Sequence, residues 1–213
     1  KVFRSATGNS GSFEDLSTGK SGKLPYSGIL RTECAVAPSD PNIVYASCVS
    51  GQIIGIYMSK DKGDTWEVIG PGGSDAFNPF MAQGYYNNSL FVFSANPKRL
   101  WVGGVDIYEW QEGKTWQQIS SGGFPTTYKK YVHSDIHTFV LHPNNKTIYI
   151  GTDGGIFSTD DFGISFKALN KNLAITQFYT VNFSTNGSVI GGTQDNGSIF
   201  IGSKFADPSW NLN

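Results

Sequence analysis

Short apolar segments alternate with turn residues along the whole chain. The segments are rich in Val, Ile, Phe, Tyr, Trp and Thr, and each is bounded by Gly, Pro, Asn or Asp. No segment repeats its apolar residues at the spacing of an amphipathic helix. This pattern predicts short β-strands joined by tight turns, and therefore an all-β fold.

The predicted strands fall into groups of four. They span 31–38, 42–47, 53–59 and 65–70 in the first group, 89–97, 99–104, 106–110 and 115–120 in the second, and 137–143, 147–152, 155–159 and 165–170 in the third. A four-strand unit of roughly 45–50 residues has the size of a β-propeller blade. The sequence therefore predicts a β-propeller of four-stranded antiparallel blades.

Partial units flank the three complete ones. Residues 2–17 resemble the third and fourth strands of a blade, and a last unit supplies strands at 177–185, 188–193 and 197–202, with Trp210 beginning a fourth. We expect one partial domain over 1–213, with blades near 1–20 (partial), 29–70, 89–120, 137–170 and 177–213 (partial). Both termini could complete one blade of a small four-bladed ring. We expect instead that the remaining blades lie in the same or another chain.

One short motif recurs with a 50-residue step. Its copies read SKDKGDTW (59–66), EWQEGKTW (109–116) and TDDFGISF (159–166). The acidic position holds Asp61 and Asp161 but Gln111 in between. An Asp side chain accepts hydrogen bonds from amides a few residues on, and Gly takes a backbone conformation that other residues avoid. The motif therefore predicts a structural turn between the third and fourth strands of each blade.

The motif resembles the Asp-box, or BNR repeat, of sialidases, sortilin-type receptor domains and xyloglucanase-type glycoside hydrolases. The resemblance implies that these turns stabilise the blade periphery, away from the ligand face. The predicted structural residues are Ser59, Asp61, Gly63, Thr65, Trp66, Gly113, Thr115, Trp116, Asp161, Gly163, Ser165 and Phe166. The segments HSDIHTFVLHP, IYIGTDGGIFSTDDFG and VIGGTQDNGS look like large propeller proteins of Bacteroidota-type bacteria, described as sortilin-like or glycosyl-hydrolase-like. That likeness implies a secreted or cell-surface protein.

Candidate ligand residues collect in the loops opposite the motif turns. In the segment HSDIH, extended backbone would place His133, Asp135 and His137 on one side, where they could hold a transition metal or bond to neighbouring loops. Turn formation is the default role of Asp153 and Asp195, but an acidic cluster is also open. The remaining predicted ligand residues supply amides or aromatic rings and are Tyr85, Tyr86, Gln194 and Asn196.

Composition limits the partners further. The net charge is −1, and no cluster of Lys or Arg forms a stripe, so a nucleic-acid partner is not expected. No apolar run approaches the ~18 residues of a membrane span, and no cofactor is predicted. Cys34 and Cys48 flank the turn APSDPN and would face each other across a hairpin centred near residue 41. They could form a disulfide or be two small buried residues.

Two functions remain open. The first is a secreted or cell-surface scaffold that binds a protein or glycan without catalysis. The alternative is a xyloglucanase-like glycoside hydrolase, which needs two carboxyl groups across the scissile bond. Its candidates are Glu33, Asp135, Asp153 and Asp195. A sialidase is disfavoured, because those related by this repeat use three arginines, and Arg99 and Arg4 are expected away from the ligand face.

Overall fold

The computed structural model describes residues 1–18, 22–71, 77–171, 173, 176–185 and 187–202. Over these ranges the chain forms β-strands, turns and loops. No helix in the described ranges is long and apolar enough to cross a membrane. Trp210, which was expected to begin a strand, lies outside the described residues.

Three consecutive sheets have four strands each, and all of their pairings are antiparallel. The first comprises β3 (Arg31–Val36), β4 (Val44–Val49), β5 (Ile53–Ser59) and β6 (Glu67–Pro71). The second comprises β7 (Ser89–Phe93), β8 (Asn96–Gly103), β9 (Ile107–Gln111) and β10 (Gln117–Gln118). The third comprises β11 (Ile136–Leu141), β12 (Ile148–Thr152), β13 (Gly155–Thr159) and β14 (Lys167–Ala168). The predicted all-β fold of four-stranded antiparallel units is confirmed.

Two smaller sheets flank these three. One pairs β1 (Phe3–Arg4) with β2 (Glu14–Asp15), and the other orders β15 (Phe178–Phe183), β16 (Val189–Thr193) and β17 (Ser198–Ile201). Both are antiparallel. They correspond to the partial units of the sequence.

The fourth strands of the first and third sheets begin later than predicted because their first residues pair elsewhere. The backbone N–H of Trp66 donates to the carbonyl of Gly22, and that of Phe166 donates to the carbonyl of Lys129. Gly22 and Lys129 belong to the connections that precede the first and third sheets. These connections therefore lie next to the outer strands. Their carbonyls accept the amide hydrogen bonds of Trp66 and Phe166, which would otherwise extend β6 and β14.

The turn between β7 and β8 was predicted at the wrong place. The sequence suggested a first strand that runs to Pro97, with Arg99 near the turn, but Phe93 pairs with Asn96 across a turn at Ser94 and Ala95. Pro97 therefore lies in β8, and its carbonyl accepts a hydrogen bond from the Tyr45 hydroxyl at 2.7 Å.

The core lies between successive sheets. Tyr45, Ile56 and Met58 of the first sheet belong to one buried cluster with Leu100 and Val102 of the second. A second cluster joins the second and third sheets and contains Phe91, Trp101, Ile148, Ile150 and Phe157. Each sheet thus buries an apolar face against the next, which fixes the loops of neighbouring sheets relative to one another.

The two cysteines do not face each other. Val36 pairs with Val44, so the hairpin is centred on residue 40 rather than 41. Cys48 consequently lies opposite Thr32, and Cys34 lies opposite Ala46. Both thiols are free; Cys48 is buried and Cys34 is exposed. The expectation that the two residues face each other was wrong: the partner of Cys34 is Ala46, two residues before Cys48.

Candidate functional site

The loops of the antiparallel sheets lie at two ends. We call the loop face the end that carries the connections between sheets and the loops between second and third strands. The turn face is the opposite end, with the hairpins between first and second strands and the recurring motif turns. The two faces differ in what their polar side chains contact.

On the turn face, Asp61 organises the first motif. Its carboxylate accepts hydrogen bonds from the Ser59 hydroxyl at 2.8 Å, the Thr65 amide at 2.8 Å and the Thr65 hydroxyl at 2.6 Å. Gly63 has φ 98°, and its carbonyl accepts from Trp66 Nε1 at 2.9 Å. Burial opposes ionisation of Asp61, but the hydrogen bonds from Thr65 and Ser59 outweigh it and lower its pKa. The turn is therefore a closed network around a carboxylate.

The third motif repeats this network with different side chains. Asp161 accepts from the Thr159 hydroxyl at 2.8 Å, the Ser165 amide at 2.9 Å and the Ser165 hydroxyl at 2.6 Å. Gly163 has φ 87°. Phe166 in the aromatic position packs against the cluster between the second and third sheets. The hydrogen bonds of the two Asp-containing motifs thus occupy side chains that a ligand would otherwise meet.

The second motif is built differently. Glu109 replaces the Ser of the first copy, and it accepts from Trp101 Nε1 at 2.7 Å and from Arg99 Nε at 2.8 Å. Gly113 keeps a positive φ of 80°. Trp116 Nε1 donates to the carbonyl of Ile69 in the first sheet at 2.7 Å. Trp116 therefore links two sheets, whereas Trp66 closes its own turn; Thr115 Oγ1 accepts from Gln117 Nε2.

On the loop face, Asp153 is the centre of a polar network. Its carboxylate accepts from the Tyr86 hydroxyl, 3.0 Å from both oxygens, and lies 2.6 Å from His137 Nε2. The rings of Tyr86 and His137 meet edge to face at 4.9 Å. Asn196 Nδ2 donates to the Asp153 carbonyl at 3.3 Å. The network joins the connection before β7 to the third sheet and to the β16–β17 turn.

Asp135 lies in a second network beside the first. One carboxylate oxygen accepts hydrogen bonds from Gln83 Nε2 at 2.6 Å and from Asn87 Nδ2. Burial raises the pKa of Asp135 against the effect of the Asn87 hydrogen bond, and the charges of Asp153 and Asp195 raise it further. Asn87 is fully buried, and its Oδ1 has no hydrogen-bond partner among the described residues. Gln83 and Asn87 were not predicted, although they flank the predicted tyrosine pair.

His133, Asp135 and His137 do not share one side. Asp135 has φ 65°, and the β11–β12 register shifts between Ile136 and Thr138. Both features break the side-chain alternation of an extended strand. His133 instead lies 2.9 Å from the Asp195 carbonyl through Nε2, while His137 contacts Asp153. Over the ranges that the structure describes, no three His, Cys, Asp or Glu side chains are grouped to hold a metal ion.

Glu33 contacts an arginine rather than the networks of Asp135 and Asp153. Its carboxylate lies 3.5 Å from the Arg31 guanidinium. Arg31 also donates to the carbonyls of Tyr86 at 2.8 Å and Asn88 at 3.0 Å, which anchors the connection before β7. Tyr85, the other member of the tyrosine pair, is 59% exposed.

An open depression of about 110 Å³ lies on the loop face. It is lined by Tyr86, Asp153, Gln177, Gln194 and Asn196. Four of these were predicted as ligand residues; Gln177 was not, although it directly precedes β15. Asp135, His133 and Asp195 do not line the depression. Asp135 binds Asn87, which follows Tyr86 in the chain, and His133 contacts the carbonyl of Asp195, which lies between Gln194 and Asn196.

Similarity to solved structures identifies this architecture. The chain matches the GH74 enzyme of Niastella koreensis with a TM-score of 0.56 and 22% identity, over 86% of this chain and 28% of that one. It matches the GH74 xyloglucanase of Xanthomonas campestris with a TM-score of 0.53 and 17% identity, over 89% of this chain and 30% of that one. The chain has a β-propeller fold. Its four-stranded sheets are propeller blades.

A third solved structure is less similar. YCF48 from Cyanidioschyzon merolae matches with a TM-score of 0.39 and 20% identity, over 79% of this chain and 51% of that one. No protein-family model and no curated protein matches the chain. The chain spans less than a third of the length of the two GH74 proteins. The similarity therefore shows the propeller fold and no more.

Replacing Asp135 with asparagine is expected to raise the free energy of unfolding by about 1 kcal/mol at pH 7. Asparagine keeps an acceptor for Gln83, tolerates the positive φ and removes a charge near Asp153 and Asp195. Because the pKa of Asp135 is raised in the folded state, its ionised form costs stability above that pKa. The gain should therefore vanish as the pH falls below the unfolded pKa of about 4. Urea unfolding at pH 7 and 3.5 measures both values, and a gain of equal size at both pH values would contradict the argument.

Proposed function

We propose that this propeller is a binding scaffold whose loop face holds a protein segment or a glycan, without catalysis of its own. The observation that carries the proposal is the depression on that face. Its five lining residues come from the connection before the second blade, the third blade and the last blade. Polar groups that converge on a concave surface from several elements can fix the orientation of a ligand. We also propose that the protein acts outside the cell or on the cell surface.

The hydrogen bonds on the loop face support a preorganised site. Tyr86 and His137 are both held by Asp153, and Asn196 is held by the Asp153 carbonyl. The contacts of Asp153 with Tyr86 and Asn196 join different blades, so the positions of the lining side chains depend on blade packing rather than on a single loop. A preorganised site loses less conformational entropy when its ligand binds.

The motif turns support a second part of the proposal. The hydrogen bonds of Asp61 and Asp161 join Ser or Thr residues within each turn, as expected for the Asp-box repeats that the sequence resembles. We propose that these turns act only in stability. We also propose that further blades, in the same or another chain, complete the propeller.

A glycoside hydrolase is the alternative, and one observation favours it. The raised pKa of Asp135 is a property that a general acid needs. Hydrolysis also requires a partner carboxylate facing the same groove. Of the four predicted carboxylates only Asp153 lines the depression, while Glu33 lies beside Arg31. Binding without hydrolysis is therefore the better-supported function.

Ligand screening with a matched pair of glutamine variants tests the proposal. Glycan and peptide arrays would first be screened with the wild-type protein. For each ligand, Gln194→Ala should raise the Kd at least tenfold, because Gln194 lines the depression. Gln117→Ala, on the exposed outer strand β10, should change the Kd less than twofold.

The same screen can contradict the proposal in two ways. Ligands whose affinity is equal in both variants would show that the depression is not the binding site. Hydrolysis of a polysaccharide by the wild-type protein that is lost in Asp135→Asn would instead establish the alternative.

A further inference from the structure

We propose that the depression on the loop face recognises a cationic group of a protein partner, an arginine or lysine side chain, with Asp153 as its carboxylate. The inference rests on the proposed function, since it names the ligand class of the same site. Charge, hydrogen-bonding capacity and the neighbouring exposed side chains support it independently.

The charge on this part of the loop face is negative. Asp135, Asp153 and Asp195 lie close enough for their charges to act on one another and on Tyr86. Burial, the hydrogen bond to Asp153 and these charges raise the pKa of Tyr86 to about 12. No lysine or arginine is among the five lining residues. A cleft lined by one sign of charge concentrates ligands of the opposite sign.

The basic groups next to the depression are already engaged. Arg31 points its guanidinium at the carbonyls of Tyr86 and Asn88. His137 contacts the Asp153 carboxylate, and His133 lies between the carbonyls of Ser134 and Asp195. The side chain of Asp153 is only 12% exposed. A cation that reached it would form a partly desolvated pair, which is stronger than a pair in open solvent.

The hydrogen-bonding groups have more free acceptors than free donors. The Tyr86 hydroxyl donates to Asp153, and Asn196 Nδ2 donates to the carbonyls of Asp153 and Gln194. Both bonds of the Asn196 side chain are made through Nδ2, and its Oδ1 accepts nothing from any described residue. Guanidinium and ammonium groups only donate, so they match this surplus.

A neutral sugar matches these free hydrogen-bonding groups less well. Each sugar hydroxyl both donates and accepts, and it needs free donors as well as free acceptors on the protein. The amides of Gln177 and Gln194 could serve either ligand, and they do not discriminate. The distinction therefore depends on Asp153 and Asn196, which both line the depression and carry acceptor oxygens.

Exposed apolar side chains in the connection that supplies Tyr86 favour a protein as the source of the cation. Met81 and Tyr85 belong to the same connection as Tyr86 and are 56% and 59% exposed. Met, Tyr and Trp are enriched at protein interfaces, where they pack around polar anchors. A partner that inserts one basic side chain could bury these two residues at the same time.

Two synthetic peptides test the inference directly. Both are nine-residue Gly/Ser peptides, one with a central arginine and one with citrulline, which has a similar shape but no charge. Titrations are followed through the side-chain amide NMR signals of Gln194 and Asn196. We expect the arginine peptide to bind at least tenfold more tightly than the citrulline peptide. Its affinity should fall as the salt concentration rises.

Three variants locate the interaction. Asp153→Asn should weaken binding of the arginine peptide at least tenfold. Gln194→Glu adds a carboxylate to the lining without touching Asp153 and should strengthen binding at least threefold. Glu67→Gln removes one negative charge on the outer strand β6 and should leave the Kd within twofold of wild type.

Equal affinity for the two peptides, or no gain in Gln194→Glu, would overturn the inference. The inference would also be overturned if a neutral oligosaccharide bound with an affinity that Gln194→Ala weakens, while the arginine peptide did not bind. The proposed function would stand in that case. The proposed function fails separately, when no ligand distinguishes Gln194→Ala from Gln117→Ala.

Discussion

Replacing Trp101 with alanine is expected to lower the free energy of unfolding by about 3–5 kcal/mol. Trp101 is fully buried between the second and third blades. Four aromatic rings surround its indole at centroid distances of 5.1–6.4 Å, those of Phe91, Phe93, Phe139 and Phe166. Alanine would leave a cavity that rigid neighbouring blades cannot close, so both burial and packing energy are lost.

The Trp101 indole also makes a hydrogen bond, which contributes to stability separately from its packing. Trp101 Nε1 donates to Glu109 at 2.7 Å, beside the Arg99–Glu109 ion pair. Trp101→Phe keeps much of the buried ring and loses this bond, and it should cost about 1–2 kcal/mol. Urea unfolding of both variants separates the two contributions. A loss below about 1 kcal/mol in Trp101→Ala would show that the second and third blades do not depend on this contact.

The strands could be predicted where turn residues mark both of their ends. β5 and β13 match the predicted segments 53–59 and 155–159, because Gly or Asp residues flank them. The β7–β8 turn was misplaced because Pro97 looks like a turn residue, whereas Ser94 and Ala95 carry no strong turn signal. The pairing of Phe93 with Asn96 sets the register between β7 and β8, and the local sequence does not indicate which residues pair.

The sequence predicted which end of the blades carries the candidate site, but not the contacts between its side chains. Loop topology assigns Tyr86, Asp153 and Asn196 to one end of the blades, and these residues do line one depression. The role of Asp135 could not be predicted from the sequence. It depends on a positive φ and on a contact with Gln83, which lies 52 residues away on another connection. Contacts between loops of different blades follow from blade packing, which no local pattern records.

The second motif shows the same limit on the turn face. Its Gly and Trp keep the spacing of the other copies, so sequence alone suggested one shared role. In the structure Glu109 binds Arg99 and Trp101, and Trp116 reaches the carbonyl of Ile69 in the preceding blade. The spacing is preserved while the hydrogen bonds have changed partners. The second motif therefore keeps the spacing of the repeat without the Asp-centred network of the other two copies.

Replacing Asp161 with alanine is expected to lower the free energy of unfolding by about 2–4 kcal/mol at pH 7. The carboxylate accepts hydrogen bonds from the Thr159 hydroxyl and from the amide and hydroxyl of Ser165. Alanine leaves these donors without their acceptor in a turn where Gly163 already holds a positive φ. Asp160→Ala, at the adjacent exposed position, should cost less than about 1 kcal/mol and serves as the control.

The pH dependence of this loss identifies its cause. Burial opposes ionisation of Asp161, but the hydrogen bonds from Ser165 and Thr159 outweigh it and lower the pKa. A carboxyl with a lowered folded pKa contributes stability above its unfolded pKa of about 4 and loses it as the pH falls through the folded value. The difference between wild type and Asp161→Ala should therefore shrink between pH 5 and pH 2. A difference that stays constant over this range would mean that the side chain acts by packing, and that its charge and hydrogen bonds do not hold the turn.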